Sequence, residues 1–241
     1  MSAPDADPIP SLEVLEQSVV PAAPVAMPQP PTLANRIAFF FSAVLSPYIV
    51  LPVGTLGILY ARTTSSQQFV MSATISIFFS TFLPVLYVLA GMKRGTITDV
   101  HVMERGQRGG PFVVAIAGGF AAAFVLYKLG AKDSVWGLSL LLAVNGLVIF
   151  LITAFTKISV HVSVLSATVL GAIILHPPLP AWTLVWMIPA LMWARVERGR
   201  HSIWQGVGGC IVSSLVTTAT IYALGLGERI PQLFQRVTSI F

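Results

Sequence analysis

After Arg36 one long apolar stretch follows another, and this succession limits the possible folds more than any other feature of the chain. The stretches fall at about 37–61, 69–91, 112–129, 135–155, 159–176, 181–194 and 203–225. A helix needs about 20 apolar residues to cross a bilayer. The chain is 55% hydrophobic and 10% charged over 241 residues, against roughly 25% charged in a soluble domain. No single water-facing core hides that much apolar surface. The stretches lack strict in-out alternation, so they read as helices and not as barrel strands. The expectation is an all-α polytopic membrane helix bundle with seven transmembrane helices, or six if the first is peripheral. The sixth stretch, at about 14 residues, reaches only about 21 Å and leans on Arg195 or on a recessed site.

Residues 1–35 are of another kind. They hold Pro4, Pro8, Pro10, Pro21, Pro24, Pro28, Pro30 and Pro31, together with Asp5, Asp7, Glu13 and Glu16, and no Lys or Arg. A signal peptide needs a basic start followed by an apolar core, and this segment has neither. It reads as a disordered proline-rich tail, with residues 36–241 as the membrane domain. Val14, Leu15, Val19 and Val20 offer a protein partner a place to dock, although a solvated tail is the simpler reading. The net charge of +5 and pI near 9.7 do not call for nucleic acid, because basic loops beside membrane spans follow from topology and anionic headgroups. Cys210 is the only cysteine, so an internal disulfide or a cysteine metal site is excluded.

If every stretch crosses, the tail, 92–111, 156–158 and 195–202 share one face of the membrane. Three polar clusters lie there: Lys93 to Pro111, Lys157-Ile158-Ser159-Val160-His161, and Ala194 to Gln205. Arg105, Arg108, Lys157 and Arg195 supply cations, and Ser159 supplies a hydroxyl. His161 and His201 fall near helix starts, where free N–H groups favour anions. Cations, hydroxyls and helix starts together suit a phosphate. Two histidines supply a nucleophile and a proton donor near neutral pH. Gln205 lies one turn after His201, placed to accept a hydrogen bond from the ring and aim its other nitrogen. Lys93 and Arg94 read as membrane-edge anchors, Arg198 and Arg200 equally as headgroup contacts, and His101 and His176 as interfacial polar residues.

At these clusters the sequence resembles the type 2 phosphatidic acid phosphatase superfamily. Its pattern is Lys-(six residues)-Arg-Pro, then Pro-Ser-Gly-His, then Ser-Arg-(five residues)-His-(three residues)-Asp. Arg108 matches the first part, Ser159 and His161 the second, and Arg195 and His201 the third, over roughly residues 90–210. The resemblance implies a phosphatase-type core and metal-independent hydrolysis of a phosphate monoester or diphosphate, with no metal and no cofactor. His201 would form a phosphohistidine and His161 would protonate the leaving group. Arg108, Arg195 and Ser159 would hold the phosphate, and Lys157 and Arg105 would assist electrostatically. It also implies a lipid phosphate substrate on an isoprenoid or glycerolipid tail, membrane lipids as surroundings, and a bacterial cytoplasmic membrane as location. The departures are His101 for lysine, Gly109 for proline, Ile158 and Val160 for the Pro and Gly of the second part, Ala194 for serine, and Gln205 for aspartate.

Two other readings stay open. One is a catalytically inactive relative acting as an accessory or assembly subunit, favoured by Gln205 and Val160. The other, weaker, is a pigment or haem subunit ligated by His161 and His201. Nine Lys/Arg fall on the motif face and five on the other. Setting aside Arg105, Arg108, Lys157 and Arg195 as phosphate ligands leaves five against five, so the positive-inside rule does not assign a side.

Overall fold

A computed structural model describes residues 32–100, 102, 105–175 and 184–227, the side chain of Arg105 excepted. Of these, 82% are helical and none lies in a strand. The helices are α1 (Leu33–Val44), α2 (Pro47–Arg62), α3 (Ser66–Lys93), α4 (Gly109–Lys128), α5 (Asp133–Phe155), α6 (Val160–Leu175), α7 (Met187–Glu197) and α8 (Ile203–Ala223). The expected tail as far as residue 31, His101 and His176 lie outside the described residues.

Helices α3, α4, α5 and α8 are long and apolar enough to cross a membrane, at 28, 20, 23 and 21 residues. At 1.5 Å per residue they measure about 42, 30, 35 and 32 Å, against a hydrocarbon core of about 30 Å. Many of their side chains point outward, including Phe124 at 61% and Leu215 at 66% exposure, and such faces need lipid against them. The chain is an integral membrane protein.

Among the described residues four helices qualify as spans by length and composition, or five if α1 and α2 count as one, and the expected seven or six also counted the shorter α6 and α7. Three physical causes account for the difference. The first stretch is broken: α1 and α2 meet at a bend of 48° just ahead of Pro47, which opens α2 and has no N–H to continue the ladder of α1. Helix α6, at 16 residues, reaches about 24 Å, and α7, at 11 residues, about 17 Å. The second stretch stays whole, but only by widening. A π turn at Phe78–Phe82 precedes Pro84, whose ring and missing N–H disturb the turn behind it.

Inside a bilayer the hydrophobic effect does not drive helices together, so close packing and hydrogen bonds carry the association. Helix α4 runs along α5 and touches α3, while α6 is clasped by α2 and α8, and α1 lies on α7. Small residues permit this closeness. Gly118 of α4 sits where a methyl group would run into the carbonyl oxygen of Phe79 in the π turn, and a Cβ on Gly119 would lie 2.9 Å from that of Ala143. Buried polar pairs join the helices across the span: Ser76 with Ser139 at 3.2 Å between hydroxyls, and Asn145 Nδ2 donating to Thr217 Oγ1 at 3.2 Å. One apolar cluster (Ile58, Leu141, Ile174, Ile221 and neighbours) fills one end of the bundle. A second (Leu45, Val50, Val162, Leu165, Leu191) underlies the ends of α1 and α7 and the start of α6.

Candidate active site

The segments that carry the three polar clusters meet around one cavity of about 1080 Å³. Its mouth is lined by Arg108 before α4, Lys157 before α6, His161 in the first turn of α6, and Arg195, Arg198, Arg200 and His201 at and after the end of α7. The rest of its wall is mostly apolar, with Leu51, Pro84, Ile116, Leu142 and Phe150 among the residues of α1 to α6 that line it, and Ser80, Thr81, Asn145 and Thr153 as polar exceptions. Along α5 the lining runs from Ala154 back to Leu142, 12 residues or about 18 Å. The described lining carries no carboxylate.

The five-residue gap between Arg195 and His201 has a structural cause. Gly199, at φ +62°, ends α7 in a Schellman turn: its N–H donates to the Val196 carbonyl at 2.8 Å and the N–H of Arg200 to the Arg195 carbonyl at 3.0 Å. The N–H of His201 then also reaches the Arg195 carbonyl, at 3.3 Å. Nucleophile candidate and phosphate-binding candidate are thereby held side by side. A Cβ at Gly199 would meet nothing within 4 Å, so Gly199→Ala carries only the left-handed backbone cost of about 1–2 kcal/mol. We expect it to lower the melting temperature measurably, and circular dichroism in detergent checks this.

His201 stands one residue before Ser202, the N-cap of α8. Ser202 and Gln205 form a capping box: Ser202 Oγ accepts from the Gln205 N–H at 3.3 Å, and Gln205 Oε1 accepts from the Ser202 N–H at 3.2 Å. The same Oε1 lies 3.1 Å from Nδ1 of His201. An amide oxygen only accepts, so Nδ1 carries the proton and Nε2 keeps its lone pair. Burial pushes the His201 pKa down from 6.5 to about 4. The Gln205 bond opposes this, and the charges of Arg195, Lys157 and Arg108 add to it. The ring is therefore neutral across the physiological range. Carbethoxylation of His201, followed by peptide mapping, should hold its plateau rate down to about pH 5 and halve near 4. An ordinary imidazole halves near 6.5.

Ser159 and Gln205 are set back from the cavity wall. Ser159 is fully buried and its Oγ has no hydrogen-bond partner. It acts through its backbone instead, donating its N–H to the Gln205 carbonyl at 3.0 Å. That bond fastens the start of α6, with His161, to the first turn of α8, which follows directly on His201. Gly209 makes the approach possible, since a Cβ there would lie 2.6 Å from Ser163 Oγ and 3.0 Å from the Ser159 carbonyl oxygen. Arg105 opens a short 3₁₀ turn, Arg105–Gln107, and its side chain is outside the described structure. Arg108 donates from Nε to the carbonyl of Val102 at 2.9 Å, and Val102 is the one described non-glycine residue with positive φ, +47°. Among the described residues no group of three His, Cys, Asp or Glu is placed to hold a metal ion.

Sequence reasoning set Arg198 and Arg200 aside as equally well headgroup contacts, yet both line the mouth. The available signal was their position flanking Gly199, which turns the chain toward the cavity. Comparison of the chain with protein-family models, with curated proteins and with solved structures returns no match.

Proposed function

We propose that this chain is an integral-membrane phosphatase that hydrolyses the phosphate of an amphiphilic lipid, of the isoprenoid or glycerolipid class, through a phosphohistidine. The observation that carries the reading is a single cavity lined by Arg108, Lys157, Arg195, Arg198, Arg200 and two histidines, and over the rest of its wall mostly by apolar residues of α1 to α6. Such a cavity suits a ligand that is anionic at one end and apolar along its length. The resemblance at Arg108, Ser159, His161, Arg195 and His201 points the same way.

In this reading Arg195 and Arg108 hold the phosphate oxygens, and Lys157 adds charge where it builds up in the transition state. Arg195 keeps a buried Nε–H with no partner, a cost of about 1–3 kcal/mol that an anion at the guanidinium relieves. Nε2 of His201 attacks phosphorus, and His161 gives a proton to the leaving oxygen. A water molecule, deprotonated by His161, then splits the phosphohistidine and releases inorganic phosphate. The guanidinium and ammonium groups supply the positive charge, so the reaction needs no resident metal.

The neutral Gln205 favours a second reading. An amide orients the imidazole but stabilises imidazolium less than a carboxylate does, and a relative that binds lipid phosphate without turning it over fits that weakness. Phosphate release in detergent with a chelator present, from a panel of isoprenoid and glycerolipid phosphates, separates the two. Release from at least one substrate supports the enzyme. Binding of the same lipids without release by folded protein supports the non-catalytic relative.

A further inference from the structure

Among the described residues Val102 alone, glycines apart, has a positive φ, +47°. A β-branched residue fits that region poorly, because its Cβ crowds the following carbonyl oxygen. Such a conformation persists only where its surroundings fix it, and here several elements do so. The Val102 side chain is buried and packs with Val88 of α3 and with Ile97. Ile97 in turn sits against Gly91 of α3, where a Cβ would lie 2.6 Å from Ile97 Cδ1. The Val102 N–H donates to the Asp99 carbonyl at 3.0 Å. Tyr48, in the first turn of α2, donates its hydroxyl to the Val100 carbonyl at 3.0 Å. Gln107 Oε1, just ahead of α4, accepts from the N–H and the hydroxyl of Thr98 at 2.9 and 3.1 Å.

What this geometry secures is found at the Val102 carbonyl, which accepts from Nε of Arg108 at 2.9 Å. A guanidinium is a rigid planar fork, so a bond at Nε fixes the plane in which its other N–H groups lie. Val102 and Arg108 both line the cavity. We propose that Val102 is a positioning residue: its anchored, left-handed backbone presents a carbonyl that sets the pose of the Arg108 guanidinium at the cavity wall. A glycine in its place would adopt the same φ without strain. It would bring no side chain to bury against Val88 and Ile97, and the carbonyl would lose that anchor. A preset pose spares the ordering of a long, flexible side chain when an anion arrives. That the anion is a phosphate rests on the phosphatase reading; that Val102 sets the pose does not.

Hydrogen exchange of the Arg108 Nε–H reads the pose directly, without a ligand, in the detergent-solubilised full chain carrying isotope-labelled arginine. The signal is assigned by its loss in Arg108→Lys. We expect Val102→Gly to speed this exchange at least about 10-fold, as loss of a hydrogen bond from a charged donor implies. Tyr48→Phe leaves the Val102 side chain in place and removes one neutral hydrogen bond, so it should speed exchange about 3-fold. If circular dichroism shows Val102→Gly unfolded, Tyr48→Phe decides. Titration calorimetry with inorganic phosphate then carries the pose to binding. Val102→Gly should weaken phosphate about 3- to 10-fold in the wild-type background, and less than about 2-fold in the Arg108→Gln background. A residue that acts through Arg108 has no further effect once Arg108 is replaced, whereas lost packing alone weakens both backgrounds equally. Unchanged exchange in the folded variants, or equal losses in the two backgrounds, overturns the positioning role. Faster exchange in variants of a wild type that binds no phosphate supports the role and counts against the phosphatase reading alone.

Discussion

On the proposed phosphatase reading we expect His201→Ala to lower phosphate release by at least about 10³-fold in kcat, because it removes the atom proposed to bond to phosphorus. The structural ground is the state of the ring. Gln205 Oε1 accepts at Nδ1, and the low pKa of about 4 keeps Nε2 unprotonated. Wild-type protein quenched during turnover of a labelled substrate should carry a phosphoryl group that is labile in acid and stable in base, as expected of a phosphoramidate. His201→Ala should carry none. Turnover that persists in the variant assigns the nucleophile elsewhere. His161→Ala provides the contrast: on the same reading it slows both formation and hydrolysis of the phosphohistidine, so we expect phosphate release to fall while a labelled phosphoryl group still forms on His201.

The second large effect comes from a residue that touches no substrate. Gly209→Val places a branched side chain where even a Cβ would lie 3.0 Å from the Ser159 carbonyl oxygen and 2.6 Å from Ser163 Oγ. Overpacking of this kind costs about 1–3 kcal/mol. More to the point, relief requires α8 to move away from the start of α6, and that movement breaks the Ser159 N–H to Gln205 carbonyl bond. The two histidines then part, and a displacement of about 1 Å lowers the rate about 10²-fold. Gly208→Ala is the control, because a Cβ there meets only Ile158 at an ordinary 3.8 Å. Melting temperature and phosphate release measured together separate the two causes. If Gly209→Val melts lower with activity intact, the contact matters to packing alone.

Helical class and membrane residence were legible because they depend on composition summed over long windows, which single residues do not disturb. Three of the apolar stretches are broken or short among the described residues. The bend at Pro47 and the π turn before Pro84 are local responses to a missing N–H, and periodicity does not reveal them. Arg108, His161, Arg195 and His201, which the resemblance singled out, line one cavity, and the Arg195–His201 spacing is the product of a helix end, a glycine turn and a helix start. The capping box was also present in the sequence as Ser202-Ile203-Trp204-Gln205, although only the glutamine stood out. Ser159 was read by its hydroxyl because a side chain is what a sequence displays. Its backbone N–H, which makes the inter-helix bond, is common to every residue but proline. The polar ties Asn145–Thr217 and Ser76–Ser139 stayed hidden for another reason: such pairs are set by which helices become neighbours.

The shared oxygen of Gln205 links two processes that are usually separate. One lone-pair-bearing atom holds both the first exposed amide of α8 and the ring of His201, so fraying of the helix start and release of the imidazole are a single event. By thermodynamic reciprocity, whatever tightens the ring also disfavours the frayed state, by the same free energy. A ligand on the imidazole therefore makes the first turn of α8 more durable, and a solvent that loosens helix ends weakens that ligand.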